Sequence, residues 1–455
     1  MDMTGRIKLL VLIIFGSFLI LQESCKKENT EDPIEEYDLT VDPETQFQTV
    51  EGFGASLAFY EGWLTAHPNK SEIYDAIFGE LSLDILRVRN AYDYDPTMID
   101  RVSEFAAEAE ASLGKPIKIM STSWGPPAYL KNNHDRSNGG TLKYVIRNGI
   151  VEFDYAGFAN WWKGALDEYN SKGIYPAYIS IQNEPDFKAS YESCRLDPTE
   201  KITSADTIAG YNKALEAVFN TVQQRTVKPG LLGPETVGIG YNNVENYVNA
   251  LEPSYLSGIA HHLYHGVDET YPWSSTDFSK VGNCHPEIPH FQTEYSRGEW
   301  FPLAGLIYKS FNDENAVAYL YWDLIWSDGG LVSLDFPWDR SQWTNSKGYA
   351  KTKHFYVFKQ FSAYIHPGWK RIDASVDNSI VNTLAFMNTA ADSAAVVLIN
   401  RSIEKKCRVK INFPGFAIDK VSAYRTSAVY DCSPAEVTDT WIELPEYSIT
   451  TLVFN

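Results

Sequence analysis

Eight apolar, β-branched runs, most of them followed by a stretch whose apolar residues recur at intervals of three and four, limit the folds open to this chain more than any other feature. The runs span 50–56, 85–90, 117–124, 178–186, 231–236, 259–265, 290–296 and 316–326. Helical periodicity lies between them, for example at 101–113, 155–172 and 208–224,. Strand alternating with helix favours a parallel sheet over a sandwich. Eight such units predict an α/β fold, a (β/α)8 TIM barrel, over residues 49–367,. From about residue 368 the pattern changes to short alternating runs at 380–387, 394–399, 407–413, 420–424, 440–444 and 449–454, with no long helix between them. Residues 368–455 therefore read as an all-β side domain, and a short run at 37–41, within residues 37–48, is expected to join its sheet.

The start of the chain reads as an export signal over residues 1–24: Arg6 and Lys8 open it, and an apolar run of 13 residues extends from Leu9 to Leu21,. That run is short for a membrane-spanning helix. Cys25 is a candidate lipid-attachment site, followed to residue 36 by a polar, mostly acidic tether,. An exported protein held to the outer membrane by lipid is the expectation, with plain signal cleavage as the other reading. Cys194, Cys284, Cys407 and Cys432 remain, in no zinc-binding spacing,. Cys407 and Cys432 share the C-terminal segment and could pair, whereas Cys194 and Cys284 are expected at opposite barrel ends.

The chain carries 39 basic and 59 acidic residues, a net charge of −20, and no Lys/Arg-rich tract. Nucleic acid is a poor match as a partner, and an uncharged polymer fits the field better. Neither glycine pair, Gly52-Phe-Gly54 or Gly238-Ile-Gly240, forms a phosphate-binding fingerprint,. No serine elbow of the esterase type ends a strand. Among His261, His262 and His265, strand alternation sends His262 with Tyr264 to one side and His261 to the other, which disfavours a metal,. No cofactor is implied.

Two glutamates end strand-like runs 110 residues apart, Glu184 in Gln182-Asn183-Glu184-Pro185 and Glu294 in His290-Phe-Gln-Thr-Glu294. Barrel enzymes hold their chemistry at these C-terminal strand ends. Two carboxyls facing one cleft suit glycoside hydrolysis: one protonates the leaving oxygen, and in retaining enzymes the other attacks the anomeric carbon from about 5–5.5 Å away. Glu184 is the candidate acid/base and Glu294 the candidate nucleophile, with Asn183 placed to meet a sugar hydroxyl. Arg87 and Arg89 share one side of the second run. Arg89, nearer the strand end, is the better candidate for holding Glu294 ionised, a structural ion pair being the alternative.

The motifs Glu51-Gly-Phe-Gly-Ala-Ser56, Trp124-Gly-Pro-Pro-Ala-Tyr129, Ser180-Ile-Gln-Asn-Glu-Pro-Asp186, Tyr191-Glu-Ser-Cys194 and Ser346-Lys-Gly-Tyr-Ala350 together resemble glycoside hydrolase family 30. The resemblance is strongest to the bacterial glucuronoxylan endo-xylanase branch and runs from about residue 41 to the end of the chain. It implies a retaining barrel with a β-sandwich side domain, and an endo-β-1,4-xylanase whose partner is plant cell-wall xylan or its oligosaccharides. It also implies that Asn183, Trp124, Tyr264 and Trp322 line the subsite where the bond is cut. One departure concerns the glucuronate branch of the substrate: Trp326 and Asp328 stand where that branch of the family places a gripping arginine and tyrosine. Tryptophan has no guanidinium fork, so strict dependence on glucuronate is not expected unless Arg297 or Arg340 substitutes. A β-glucanase of the same family, such as a β-1,6-glucanase, is the alternative within the fold. A catalytically silent glycan-binding lipoprotein is the alternative outside it. Trp300, Trp326, Trp338 and Trp343 could stack on sugar faces or pack their loops, whereas Trp161 and Trp162 lie on a helical stretch and read as core.

Overall fold

A computed structural model describes residues 34–417 and 420–455, so the expected export signal and Cys25 lie outside the described residues. Eight parallel strands close into a barrel: Gly52–Leu57, Ile85–Arg89, Lys118–Thr122, Tyr178–Ser180, Gly230–Thr236, Gly258–His262, His290–Glu294 and Ala318–Tyr321. Closure comes from the eighth strand pairing with the first, Ala318 opposite Gly52 and Tyr321 opposite Ala55. Every one of these strands lies within or overlaps a run expected from the sequence. Helices follow each strand, among them Met98–Leu113, Tyr155–Ser171 and Tyr211–Gln223. Trp161 and Trp162 are buried on the second of these and belong to the core.

Alternation along the strands sorts residues into two layers. Leu86, Val88, Ile119, Ile179 and Ile259 face outward and pack beneath the helices. Ile85, Met120, Leu232, Ala260, Phe291, Ala318 and Leu320 point inward and plug the lower barrel. Two residues further along, the inward positions become polar, with Arg87 after Ile85, Thr122 after Met120 and His262 after Ala260. The barrel therefore has an apolar floor and a charged upper layer at the end where loops leave the strands. Neighbouring strands approach closely here: a Cβ on Gly54 would lie 2.4 Å from the Ile85 carbonyl oxygen.

A ten-stranded sheet stands beside the barrel. The run at 37–41 is part of a longer strand, Glu35–Thr49, which pairs antiparallel with Lys370–Val376 and parallel with Cys407–Asn412. Both ends of the described chain thus lie in one sheet. Its strand Ala394–Asn400 is buried along its whole length. Ala395, Val397 and Ile399 join the barrel's core, while Ala394, Val396 and Leu398 enter a second core with Leu39, Val409, Ile442 and Leu452. An unbroken apolar run is what a strand covered on both faces requires. Cys407 lies in that second core, whereas Cys432 meets the Tyr364 hydroxyl at 3.5 Å, and both are free. The pairing considered from sequence does not form, because the two thiols serve different packing layers.

Sheet and barrel are fastened through the last barrel helix, Lys353–Ser362, where Gln360 Nε2 donates to Thr426 Oγ1 at 2.9 Å and the Thr451 hydroxyl donates to the Gln360 carbonyl at 2.8 Å. Phe386, fully buried, meets Phe311 edge-on at 5.6 Å across the same junction. Phe386→Ala is expected to destabilise the protein by about 3–5 kcal/mol, the cost of emptying a buried aromatic site. Urea unfolding checks this, and an unchanged midpoint with an unchanged slope would contradict it.

Candidate active site

The fourth strand ends at Ser180, and the following Gln182-Asn183-Glu184 segment is pinned from three directions. The Asn183 amide donates to the Ser123 carbonyl at 2.7 Å, and the Glu184 amide donates to the Glu235 carbonyl at 3.0 Å. Gln182 Nε2 donates to the Trp124 carbonyl at 2.7 Å. Glu184 has φ +43°, a left-handed conformation that non-glycine residues adopt only where their surroundings impose it,. These bonds aim its carboxyl over the barrel mouth. Glu294 is the last residue of the seventh strand and enters the same space.

One oxygen of Glu184, one ring nitrogen of His262 and one oxygen of Glu294 lie within 4.8 Å of one another, and all three residues are buried. Arg87, with no exposed surface, organises the carboxylates from below. Its Nη1 donates to Glu294 Oε2 at 2.7 Å and to Ser56 Oγ at 3.2 Å, and its Nη2 donates to Asn183 Oδ1 at 2.7 Å. Nε lies 3.1 Å from Glu235 Oε1, and the guanidinium rests 4.3 Å over the Trp124 ring. The Tyr264 hydroxyl donates to Glu294 Oε1 at 3.1 Å. His262 completes the cluster: Nδ1 is 3.1 Å from Glu184 Oε1, and Nε2 is 3.7 Å from Glu235 and 3.8 Å from Glu294.

Burial penalises charge on each of these groups, and their neighbours decide the outcome. For Glu235, burial would raise the pKa, but Arg87 and His262 outweigh it and lower it to about 2. Burial likewise works against a charged His262, yet Glu294, Glu184 and Glu235 raise its pKa to about 10. Burial pushes the Glu294 carboxyl up, while His262 and Arg87 pull against that push and Glu184 adds to it. Glu184, His262 and Glu294 present three ligand atoms, but the Arg87 guanidinium already bonds to Glu294 Oε2 and would repel a second cation there. The donor set does not suit a metal ion.

The expectation for Arg89 needs correcting. Its guanidinium pairs with Glu192 at 3.1 Å and Glu61 at 3.5 Å and lies over the Phe59 ring, so it braces loops rather than Glu294. The two-residue period correctly put both arginines on one side, but the long side chain of Arg87 reaches upward from one layer below, while Arg89 already stands at the rim. Glu235 was missed in sequence reading. Its signal is a carboxylate inside the apolar strand Leu231-Leu-Gly-Pro-Glu235, a position that is costly without buried cations,.

Above the cluster opens a cavity of about 440 Å³, lined by Trp124, Tyr264, Trp322 and Trp326 together with both glutamates. Phe187 and Tyr191 wall it beside Glu184, with the Tyr191 hydroxyl 3.4 Å from Glu184 Oε2. Trp326 and Arg297 both line it, Arg297 lying 4.8 Å over the Tyr264 ring, whereas Arg340 sits over Trp343 in an outer loop. Trp343 stacks on His67 at 5.3 Å and Trp300 meets Tyr447 edge-on at 5.7 Å, so both pack structure.

No family model matches the chain. A Caenorhabditis elegans protein named "Putative glucosylceramidase 2" is 26% identical over 426 residues, covering 82% of this chain and 78% of its own. The Bacillus subtilis glucuronoxylanase XynC is 21% identical over 470 residues, covering all of both chains. An endo-1,6-β-D-glucanase of Aspergillus fumigatus is 25% identical over 295 residues, covering 56% of this chain and 52% of its own. Among solved structures, the catalytic domain of a family 30 xylanase C from Talaromyces cellulolyticus has a TM-score of 0.72 at 22% identity, covering 92% of this chain and all of that one. The barrel with its side sheet is therefore a fold shared with solved family 30 xylanases, and the sequence relatives include both a glucuronoxylanase and an endo-1,6-β-D-glucanase.

The elevated pKa of His262 makes a signed prediction. A group whose pKa rises on folding contributes stability that is complete below its unfolded value, here 6.5, and is lost as pH climbs through its folded value near 10,. The unfolding free-energy difference between the parent and His262→Gln should shrink steadily between those limits in paired urea titrations. A difference that stays flat over that range would show His262 to be uncharged in the fold.

Proposed function

We propose that this protein is a retaining glycoside hydrolase acting on the β-1,4-linked main chain of xylan, with Glu184 as acid/base and Glu294 as nucleophile. The observation that supports it most is the approach of a Glu184 oxygen to a Glu294 oxygen within 4.8 Å. That spacing leaves room for an anomeric carbon but not for the additional water that inversion requires. Since His262 Nδ1 occupies Glu184 Oε1, the other oxygen, beside Tyr191, is the one that hands its proton to the leaving group. Glu294 attacks the anomeric carbon as the bond breaks, forming a glycosyl-enzyme. Glu184, now a carboxylate, then takes a proton from the water that releases the sugar with its original configuration. Arg87 and Tyr264 fix the two oxygens of Glu294, and Asn183, its Oδ1 held by Arg87, keeps Nδ2 for a sugar hydroxyl.

A β-glucan substrate is the second reading. It is favoured by Trp326, which presents an indole to the cavity at the position where the glucuronoxylanase branch grips its acidic side group. The aromatic walls suit either polymer, because flat rings stack on the C–H faces of any pyranose. A glycan-binding protein without turnover is disfavoured by the retention of both carboxyls in bonding geometry.

Glu184→Gln is expected to slow cleavage by about 10²–10⁴-fold, the usual contribution of a general acid. Glu294→Gln should abolish it in a protein that still folds, with a lowered thermal transition because buried Arg87 loses a charged partner,. Product analysis on glucuronoxylan, arabinoxylan, linear xylo-oligosaccharides and β-1,6-glucan, with the first-formed anomer followed by NMR, tests the chemistry and the substrate together. Normal turnover by Glu294→Gln, or an inverted first product, would refute the mechanism. Cleavage of the glucan alone would replace xylan as substrate.

Export and lipid attachment at Cys25 are part of the same reading, motivated by the basic start, apolar run and acidic tether. Acyl-chain labelling of the membrane fraction is expected to mark the parent and to disappear in Cys25→Ser. Equal labelling of both would remove the anchor.

A further inference from the structure

We infer that the aromatic cavity continues outward as a stacking ledge that binds sugar units of the polysaccharide beyond the bond being cut. This rests on the reading of the chain as a glycoside hydrolase. Trp322 and Trp326 line the cavity with ring centroids 5.9 Å apart. From Trp326 the rings continue without a gap: Tyr60 at 4.6 Å, then Trp63 at a further 4.6 Å. Trp63 in turn meets Phe336 at 4.4 Å and Trp338 at 5.7 Å.

The inner rings of this path are partly buried, but its outer end is not. Trp338 is 66% exposed and Phe336 40% exposed. Single exposed apolar side chains are ordinary, but these two rings adjoin one another at 6.0 Å and form a contiguous patch that continues the aromatic lining of the cavity,. Among the described aromatic rings, Trp338 meets Trp63 at 5.7 Å and Phe336 at 6.0 Å, and both contacts leave most of its surface open. The loop that carries it is firmly built. Asp335 Oδ2 accepts from the Thr344 amide at 2.8 Å, and Trp343 Nε1 donates to the Phe336 carbonyl at 2.8 Å. Asp339 Oδ1 accepts from the Ser341 amide at 3.1 Å. A loop fixed in this way holds its two outermost rings in place before any ligand arrives, which lowers the entropic cost of stacking.

The occupant follows from continuity with the cavity and from chemistry. A neutral chain of pyranoses offers apolar C–H faces to the exposed outer rings, and it suits a surface in a strongly acidic protein. The ledge runs over loops after the eighth and first strands.

Calorimetric titration in the Glu294→Gln background, using β-1,4-xylo-oligosaccharides and β-1,6-gluco-oligosaccharides of increasing length, tests the inference. Affinity should rise with length beyond a trisaccharide. Trp338→Ala should cost a long oligosaccharide about tenfold, the scale of one lost stacking contact, while leaving a trisaccharide unaffected. Phe336→Ala should act in the same direction. Unchanged affinity for the long ligand in both variants, or an equal loss for both lengths, would overturn the ledge while leaving the hydrolase reading in place. Failure of every trisaccharide to bind the Glu294→Gln protein would instead overturn the hydrolase reading and the ledge with it.

Discussion

A guanidinium sealed from water holds the candidate site together. Arg87 bonds to Glu294 and Asn183 and lies against Glu235, drawing the ends of the fourth, fifth and seventh strands onto a single cation in the second. Such burial is unfavourable unless every charge finds a partner, because removing ions from water costs several kcal/mol each. Here the cost is met by mutual pairing: Arg87 and His262 offset Glu235 and Glu294, and the Trp124 ring covers the guanidinium face. Planar arginine suits this position, since its five donors point outward in fixed directions and lysine could satisfy only part of the set. The cluster is therefore rigid, and the two carboxyls that face the cavity inherit that rigidity.

The apolar layer below makes the charged layer possible. Phe291, Leu232, Met120 and their neighbours fill the lower barrel, so no solvent reaches Arg87 from beneath. The side sheet adds support from outside: its strand Ala394–Asn400 covers the barrel's outer core with one face and its own core with the other. Anchoring Glu35–Thr49 beside Lys370–Val376 places both flanks of the barrel segment in one sheet, which restrains the points where the chain enters and leaves.

Sequence reading succeeded where a local rule carries the information. Period two and period three-to-four mark the barrel's strands and helices, because each face has one environment. The glutamates were visible because a carboxyl at the end of an apolar run contradicts its surroundings. What escaped were relations between distant elements. Arg87 and Arg89 are chemically identical and share a face, so only the height of each Cα within the barrel decides which one reaches Glu294. Glu235 contradicts its strand as plainly as Glu184 does, but its partners come from the second and sixth strands, and nothing near it in the chain names them. The strand Lys370–Val376 was overlooked because its burial alternates weakly, with only Ile372 and Arg371 buried.

Under the proposed reaction, the charge count of the cluster explains why three carboxyls meet two cations. In the acid role proposed for it, Glu184 enters the reaction carrying the proton it donates, and Arg87 and His262 then balance Glu235 and Glu294. As the glycosidic bond breaks, that proton leaves with the departing oxygen, and the new charge on Glu184 forms 3.1 Å from His262 Nδ1. Positive charge develops at the anomeric carbon at the same moment, facing Glu294. Each charge created in the transition state thus appears beside a fixed charge of opposite sign, in a cavity walled by Trp124, Tyr264 and Trp322. Because the partners are already in place, little reorganisation accompanies the reaction. Glu235 never needs to touch the sugar: with Glu294 and Glu184 it favours the charged form of His262, the cation beside which Glu184 gives up its proton.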